Sequence, residues 1–221
     1  MTQQTLSPQD FLLATLDTIL HYSKQQKQHK VEQILPIVHD IVRNYPHILW
    51  HTPLIWKLAK VYMIMYHYDG GDDENFSMNL VKQAYIFSQR AVDLCEKQAE
   101  YTATDIHFDA LHTQVMILNT CQDVLVGALA EVYMQLHSAE SNIQSISNKL
   151  AQKIVPIIAY NIVVKIDDAF TNFNNNAVIE RMCNDFELSN PDITTAQLEQ
   201  ADKVHAILIH SFLRDCFPNT K

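Results

Sequence analysis

Glycine is almost missing from this chain of 221 residues, occurring only at Gly70, Gly71 and Gly127. Tight hairpins and phosphate-cradling loops need backbone positions with positive φ, which glycine adopts at least cost. A β-barrel, a β-sandwich and a nucleotide-binding α/β fold are therefore disfavoured. Cysteine is sparse as well: Cys95, Cys121, Cys183 and Cys216 lie far apart, with no Cys-x-x-Cys pair and no small disulfide framework. They read as small buried hydrophobes in a reducing compartment. Long apolar runs are absent too. The richest stretch, Ile154 to Ile166, is broken by Pro156, Asn161 and Lys165 and falls short of the roughly 20 residues that cross a bilayer. The first ten residues lack the basic start and apolar stretch of a signal peptide. The expectation is a cytoplasmic protein without a membrane partner.

Positive charge is in short supply. Sixteen lysines and arginines face 25 acidic side chains, for a formal net charge of -9. A phosphate backbone would be repelled by such a surface, and the one basic cluster, Lys24, Lys27 and Lys30, is too thin for a nucleic-acid footprint. No nucleic-acid partner is expected, whereas a basic protein is a fair one. The sequence also contains no nucleophile elbow, no Gly-rich phosphate loop and no His-Glu-x-x-His, so the common hydrolase, NTPase and metalloprotease readings lose support. No cofactor and no metal is called for.

What the sequence does hold is helical periodicity. With 48% apolar and 19% charged residues, it can fold as a single helical domain spanning 1-221. Ser7, Pro8 and Asp10 supply a cap, a first-turn proline and an early acid for a helix to about Gln26, with Leu12, Leu16 and Ile19 on its stripe. Val31, Ile34, Leu35, Val38 and Ile41 mark a second helix ending before Pro46, with a kink expected at Pro36. Thr52 and Pro53 open a third, which stops at the loop from Asp69 to Asn75. Ser77 is the candidate cap of a fourth, running toward Glu100. A fifth stripe runs from near Thr104 to Leu136 unless Gly127 interrupts it. A sixth runs from Ser141 to Phe170 through Pro156, and its many apolar residues make it the candidate central helix. A short helix around Val178 to Leu188 and a last one capped by Thr194 or Thr195 complete the set. The fold class is all-α, about eight helices in an irregular bundle or a stack of helical hairpins.

Within the third and fourth helices, Lys82-Gln-Ala-Tyr-Ile-Phe-Ser-Gln-Arg-Ala-Val-Asp-Leu94 resembles the second helix of a tetratricopeptide repeat, with Ala84 and Ala91 at its small positions. Trp56 and Tyr62 are similar to the aromatic positions of that repeat's first helix. The resemblance spans residues 53-97. It implies a helical-hairpin stack that binds another protein in a groove and carries no catalytic residues.

Several constellations could carry chemistry. His39-Asp40, in Leu35-Pro-Ile-Val-His-Asp-Ile41, resembles the His-Asp doublet of all-helical HD-type phosphohydrolases. Such a metal site also needs an upstream His and a downstream Asp, and His21 with Asp105 or Asp109 are the partners that chain order allows. His47 and His51 stand four apart, but Pro46 and Pro53 bracket them. His107 and His112, like His205 and His210, stand five apart and diverge by about 140° around a helix. The loop His67-Tyr-Asp-Gly-Gly-Asp-Asp-Glu74 gathers four carboxylates without EF-hand spacing. Neither it nor Asp167-Asp168 has the full Asp-Asp-x-x-Asp pattern of isoprenoid synthases.

These readings converge on a non-enzymatic protein-binding helical module. Its expected partner surface is acidic and aromatic, formed by Trp56, Tyr62, Tyr66, Tyr68, Asp69, Asp72, Asp73 and Glu74. A specific form of this expectation is an immunity or antitoxin-like protein that neutralises a basic partner. The alternative is an HD-like metal-dependent phosphohydrolase using His39 and Asp40.

Overall fold

The computed structural model describes residues 7-69, 74-120, 125-130, 134, 143-169, 184 and 193-216. Among these there are seven α-helices, one 3-10 helix and no strand. Helix α1 (Pro8–Lys24) begins as its sequence predicts: the Ser7 hydroxyl accepts from the Asp10 backbone N–H at 3.1 Å. It stops at Gln26, whose positive φ of 54° breaks the helical path and turns the chain into α2 (Gln28–Asn44). Helix α2 continues through Pro36, and a 3-10 helix (Pro46–Trp50) then leads into α3 (Thr52–Asp69).

Two expected caps are displaced. Thr52 is 1% exposed, and its hydroxyl donates to Gln98 Oε1 at 2.8 Å, tying the start of α3 to the end of α4. Helix α4 (Glu74–Lys97) begins three residues before Ser77, which therefore lies inside it. The stripe predicted from Thr104 to Leu136 appears as α5 (Asp105–Thr120) and a helical stretch at 125-130 that contains Gly127. Residues 121-124 of that stripe lie outside the described residues. Helix α6 (Ile143–Ala169) passes through Pro156. The expected helix around Val178 to Leu188 falls outside the described residues apart from Asn184. Helix α7 (Thr195–Cys216) carries a reciprocal cap: Thr194 Oγ1 accepts from the Gln197 N–H at 3.3 Å, and Gln197 Oε1 accepts from the Thr194 N–H at 2.9 Å.

Buried residues from all seven helices join one hydrophobic cluster. Its middle is the α3–α4 pair, which forms the most extensive interface in the molecule. Leu54, Leu58, Ala59 and Val61 of α3 meet Val81, Ala84, Ala91 and Val92 of α4, all at most 1% exposed. The small side chains Ala59, Ala84 and Ala91 let the two backbones approach. Helix α1 covers α3 on one side, while α5 and α7 cover α4 on the other. Helix α6 was the sequence's candidate for the centre. Among the described residues it packs on α5 and α7 rather than on the α3–α4 pair, and it leaves Val164 37% exposed.

Candidate functional site

Helix α1 packs along both α2 and α3, but α2 and α3 touch each other at only a few points, and a groove opens between them. It has a volume of about 440 Å³. Val31, Leu35 and Met65 form its apolar floor, and Tyr68 lines the end near the start of α2. The carboxylates of Glu32 and Asp40 stand exposed at the rim, with Arg43 one helical turn beyond Asp40. Gln28 pins this end shut: its Nε2 donates to the Tyr68 carbonyl at 3.1 Å and to Glu32 Oε1 at 2.9 Å. Tyr68 is fixed further by its hydroxyl, which lies 3.3 Å from Ser23 Oγ.

His39 is the one imidazole that lines the groove. Its ring stacks on Tyr62 of α3, with centroids 5.6 Å apart and planes 7° from parallel, and its Nε2 is shielded from solvent without a hydrogen-bond partner among the described residues. Burial lowers the His39 pKa below its usual value, the positive charge of Arg43 lowers it further, and Asp40 opposes both. The imidazole is therefore held neutral near pH 7. Tyr62 in turn is buried, 4% exposed, with its ring edge-on to Phe87, and burial pushes its phenol well above the ordinary tyrosine value.

The predicted aromatic and acidic surface is thus only partly a surface. Tyr62 is a core residue, which removes it from any partner-binding face. Trp56 is half-buried, covered by the ammonium of Lys60 at 4.4 Å from the ring centroid and flanked by Lys57. Those lysines reach across to Asp109 of α5 and Asp17 of α1, so Trp56 serves contacts between helices. Tyr66 is half-buried with its ring 5.7 Å from that of His67. Tyr68 alone lines the groove. Asp69 closes α3 and Glu74 opens α4. Asp72 and Asp73, and the side chains of Asp69 and Glu74, lie outside the described residues.

No metal constellation assembles among the described residues: no group of three or more His, Cys, Asp or Glu side chains is placed to hold an ion. Asp109, one of the partners that an HD-type site would need, is engaged by Lys60 at 3.2 Å. His21 is tied to Gln25 at 2.7 Å. His47 lies in the 3-10 helix and His51 terminates it, so the two do not share an α-helical face. His107 accepts from the Ala103 N–H at 3.2 Å, and His112 stacks on Phe108. His205 is joined to Tyr85 at 2.6 Å, which takes it away from any pairing with His210. Cys95 and Cys216 are free thiols whose pKa values burial raises to about 11 and about 12, far from a reactive thiolate.

Sequence reasoning did not single out Glu32 as part of a site, nor the second large groove, beside Trp50. Glu32 could have been found from its place one turn before Pro36 on a helix whose opposite face is apolar. Trp50 is 66% exposed, and a tryptophan between Pro46 and Pro53 was a usable signal. No described helix is long and apolar enough to cross a membrane. The fold and the groove define the chain as an all-α bundle with an open interhelical groove. No family model, no curated protein and no solved structure matches it.

Proposed function

We propose that this chain is a non-enzymatic protein-binding module that takes a basic, amphipathic segment of a partner into the α2–α3 groove. The observation that carries this reading is the groove's division of labour. It has an apolar floor of Val31, Leu35 and Met65 and an exposed carboxylate rim of Glu32 and Asp40. A helix with an apolar stripe and flanking lysines or arginines complements both parts. The net charge of -9 steers a basic partner toward the molecule. The resemblance of residues 53-97 to a tetratricopeptide hairpin agrees with this use. An immunity or antitoxin-like role in a reducing cytoplasm, with the groove occluding a basic toxin, is the specific form of the proposal.

The test uses the full chain as bait in extracts of its source, with the partner identified by mass spectrometry and its affinity then measured with purified components. A single stoichiometric partner released by rising salt is expected, and Glu32→Lys with Asp40→Lys should weaken it at least tenfold. A partner whose affinity ignores both substitutions would place binding elsewhere, and a bait that captures no specific partner would remove the proposal.

A further inference from the structure

We infer that a second groove, formed by the 3-10 helix, α4 and α7, is a binding site for a small apolar carboxylate, with Arg90 as the anion receptor. The groove has a volume of about 480 Å³, within the range of small-molecule sites. Its walls are Ile55, Ile86, Phe87, Ile209 and Leu213, with the Trp50 ring at the mouth. None of these walls belongs to the α2–α3 groove, so the inference does not depend on the protein-binding proposal.

Arg90 is what gives this apolar space a ligand chemistry. Its guanidinium carbon lies 3.8 Å from the Trp50 ring centroid, so the planar cation is stacked on the indole. Stacking occupies the face of a guanidinium and leaves its N–H edge free for a bidentate acceptor. Among the described residues no acceptor pairs with Arg90; its Nη2 is shielded without a hydrogen-bond partner, so the other N–H groups of the guanidinium are the ones a ligand carboxylate meets. A donor left in this condition costs stability until an acceptor arrives.

The obvious internal acceptor is Asp93, one turn along α4 and lining the same groove. It is held elsewhere: Gln89 Nε2 donates to Asp93 Oδ1 at 2.8 Å, and Gln114 of α5 fixes Gln89 by donating to its Oε1 at 2.8 Å. This relay from α5 holds one carboxylate oxygen of Asp93, and no ion pair forms between Asp93 and Arg90. The Asp93 charge on the same wall still repels an anion, so a monocarboxylate is favoured over a dicarboxylate or a phosphate. A ligand with one carboxylate on Arg90 and an unbranched apolar body along Ile86, Ile209 and Leu213 satisfies every one of these features.

The measurement is isothermal titration of the purified full chain with octanoate and with octanol. The two share an apolar body and differ in the carboxylate. Saturable one-to-one binding of octanoate is expected, at least tenfold tighter than octanol, because a charge-assisted pair with a shielded arginine is lost in the alcohol. Arg90→Gln, checked for native helicity by circular dichroism, should bring octanoate down to the level of octanol, and Arg90→Lys should retain part of the difference. Equal binding of acid and alcohol by the wild-type chain overturns the inference without any variant, since it reduces the groove to unspecific apolar affinity. No saturable binding of octanoate, or undiminished binding in a folded Arg90→Gln chain, overturns it equally.

Discussion

The Tyr85 hydroxyl and His205 Nε2 lie 2.6 Å apart across 120 positions of sequence, joining the buried middle of α4 to α7. Burial raises the Tyr85 phenol well above its ordinary value, so it keeps its proton, and the tautomer of His205 sets which of the two groups donates. Phe212 closes the arrangement with its ring edge-on to Tyr85, at 6.0 Å and 89°. Tyr85→Phe preserves that ring contact and removes the hydroxyl alone. It should lower stability by about 1 kcal/mol in denaturant unfolding, with m unchanged. A neutral substitution would mean that the hydrogen bond only balances the cost of drying its partners.

Lys82 makes the second long-range tie between the same helices. Its ammonium is 3.0 Å from Asp215 Oδ2, with the lysine side chain 7% and the aspartate 27% exposed. Asp215→Ala takes this carboxylate from a mostly buried cation and should cost about 2 kcal/mol, less than a fully buried pair because the aspartate is partly solvated. Adding Lys82→Met should recover part of that loss, since the buried charge disappears with the lysine. Urea midpoints of the two single variants and the double variant give the coupling directly.

Local signals made the helices readable, and tertiary relations were what stayed hidden. Ser7, Pro8, Pro46 and Thr194 act at the ends where their cap and turn chemistry places them, and the all-α class followed from periodicity. The centre of the bundle was misjudged because α6 has the longest apolar stripe, whereas α4 buries Lys82 and Ser88 as well as its apolar face. A buried lysine looks like a surface residue until its distant aspartate is known. Tyr62 misled for a related reason: aromatic residues are enriched both in cores and at interfaces, and only its stack on His39 and its contact with Phe87 decide. The α2–α3 groove could not be read at all, since it exists because α1 holds two helices that barely meet.

Gly127 offers a test of local helix chemistry. It stands within the helical stretch 125-130, and among the described residues a Cβ built there would meet only the terminal methyl of Met78, at 3.0 Å. That methyl ends a flexible side chain and can swing aside. Gly127→Ala should therefore raise stability by about 0.5 kcal/mol, the gain in helix propensity less a small cost for moving Met78. A thermal midpoint below that of the wild type would show that Met78 has no room to yield.

His39 sets a pH dependence whose sign follows from its surroundings. On its own helix it faces Arg43 and Asp40, with Glu32 on the same groove wall, and from α3 it meets the uncharged Tyr62 ring and lies across the groove from Tyr68. Its folded pKa is below the unfolded value of 6.5, so between the two values the unfolded chain binds more protons than the folded one. The neutral histidine thus costs nothing above pH 6.5, and stability falls as the pH drops through 6.5 toward the folded pKa. His39→Gln cannot titrate and should flatten this part of the profile, so that the variant loses less stability than the wild type between pH 7 and pH 5. Parallel slopes of unfolding free energy against pH would show that the imidazole is solvated enough to protonate in place, with its stack on Tyr62 carrying no penalty for the charged form.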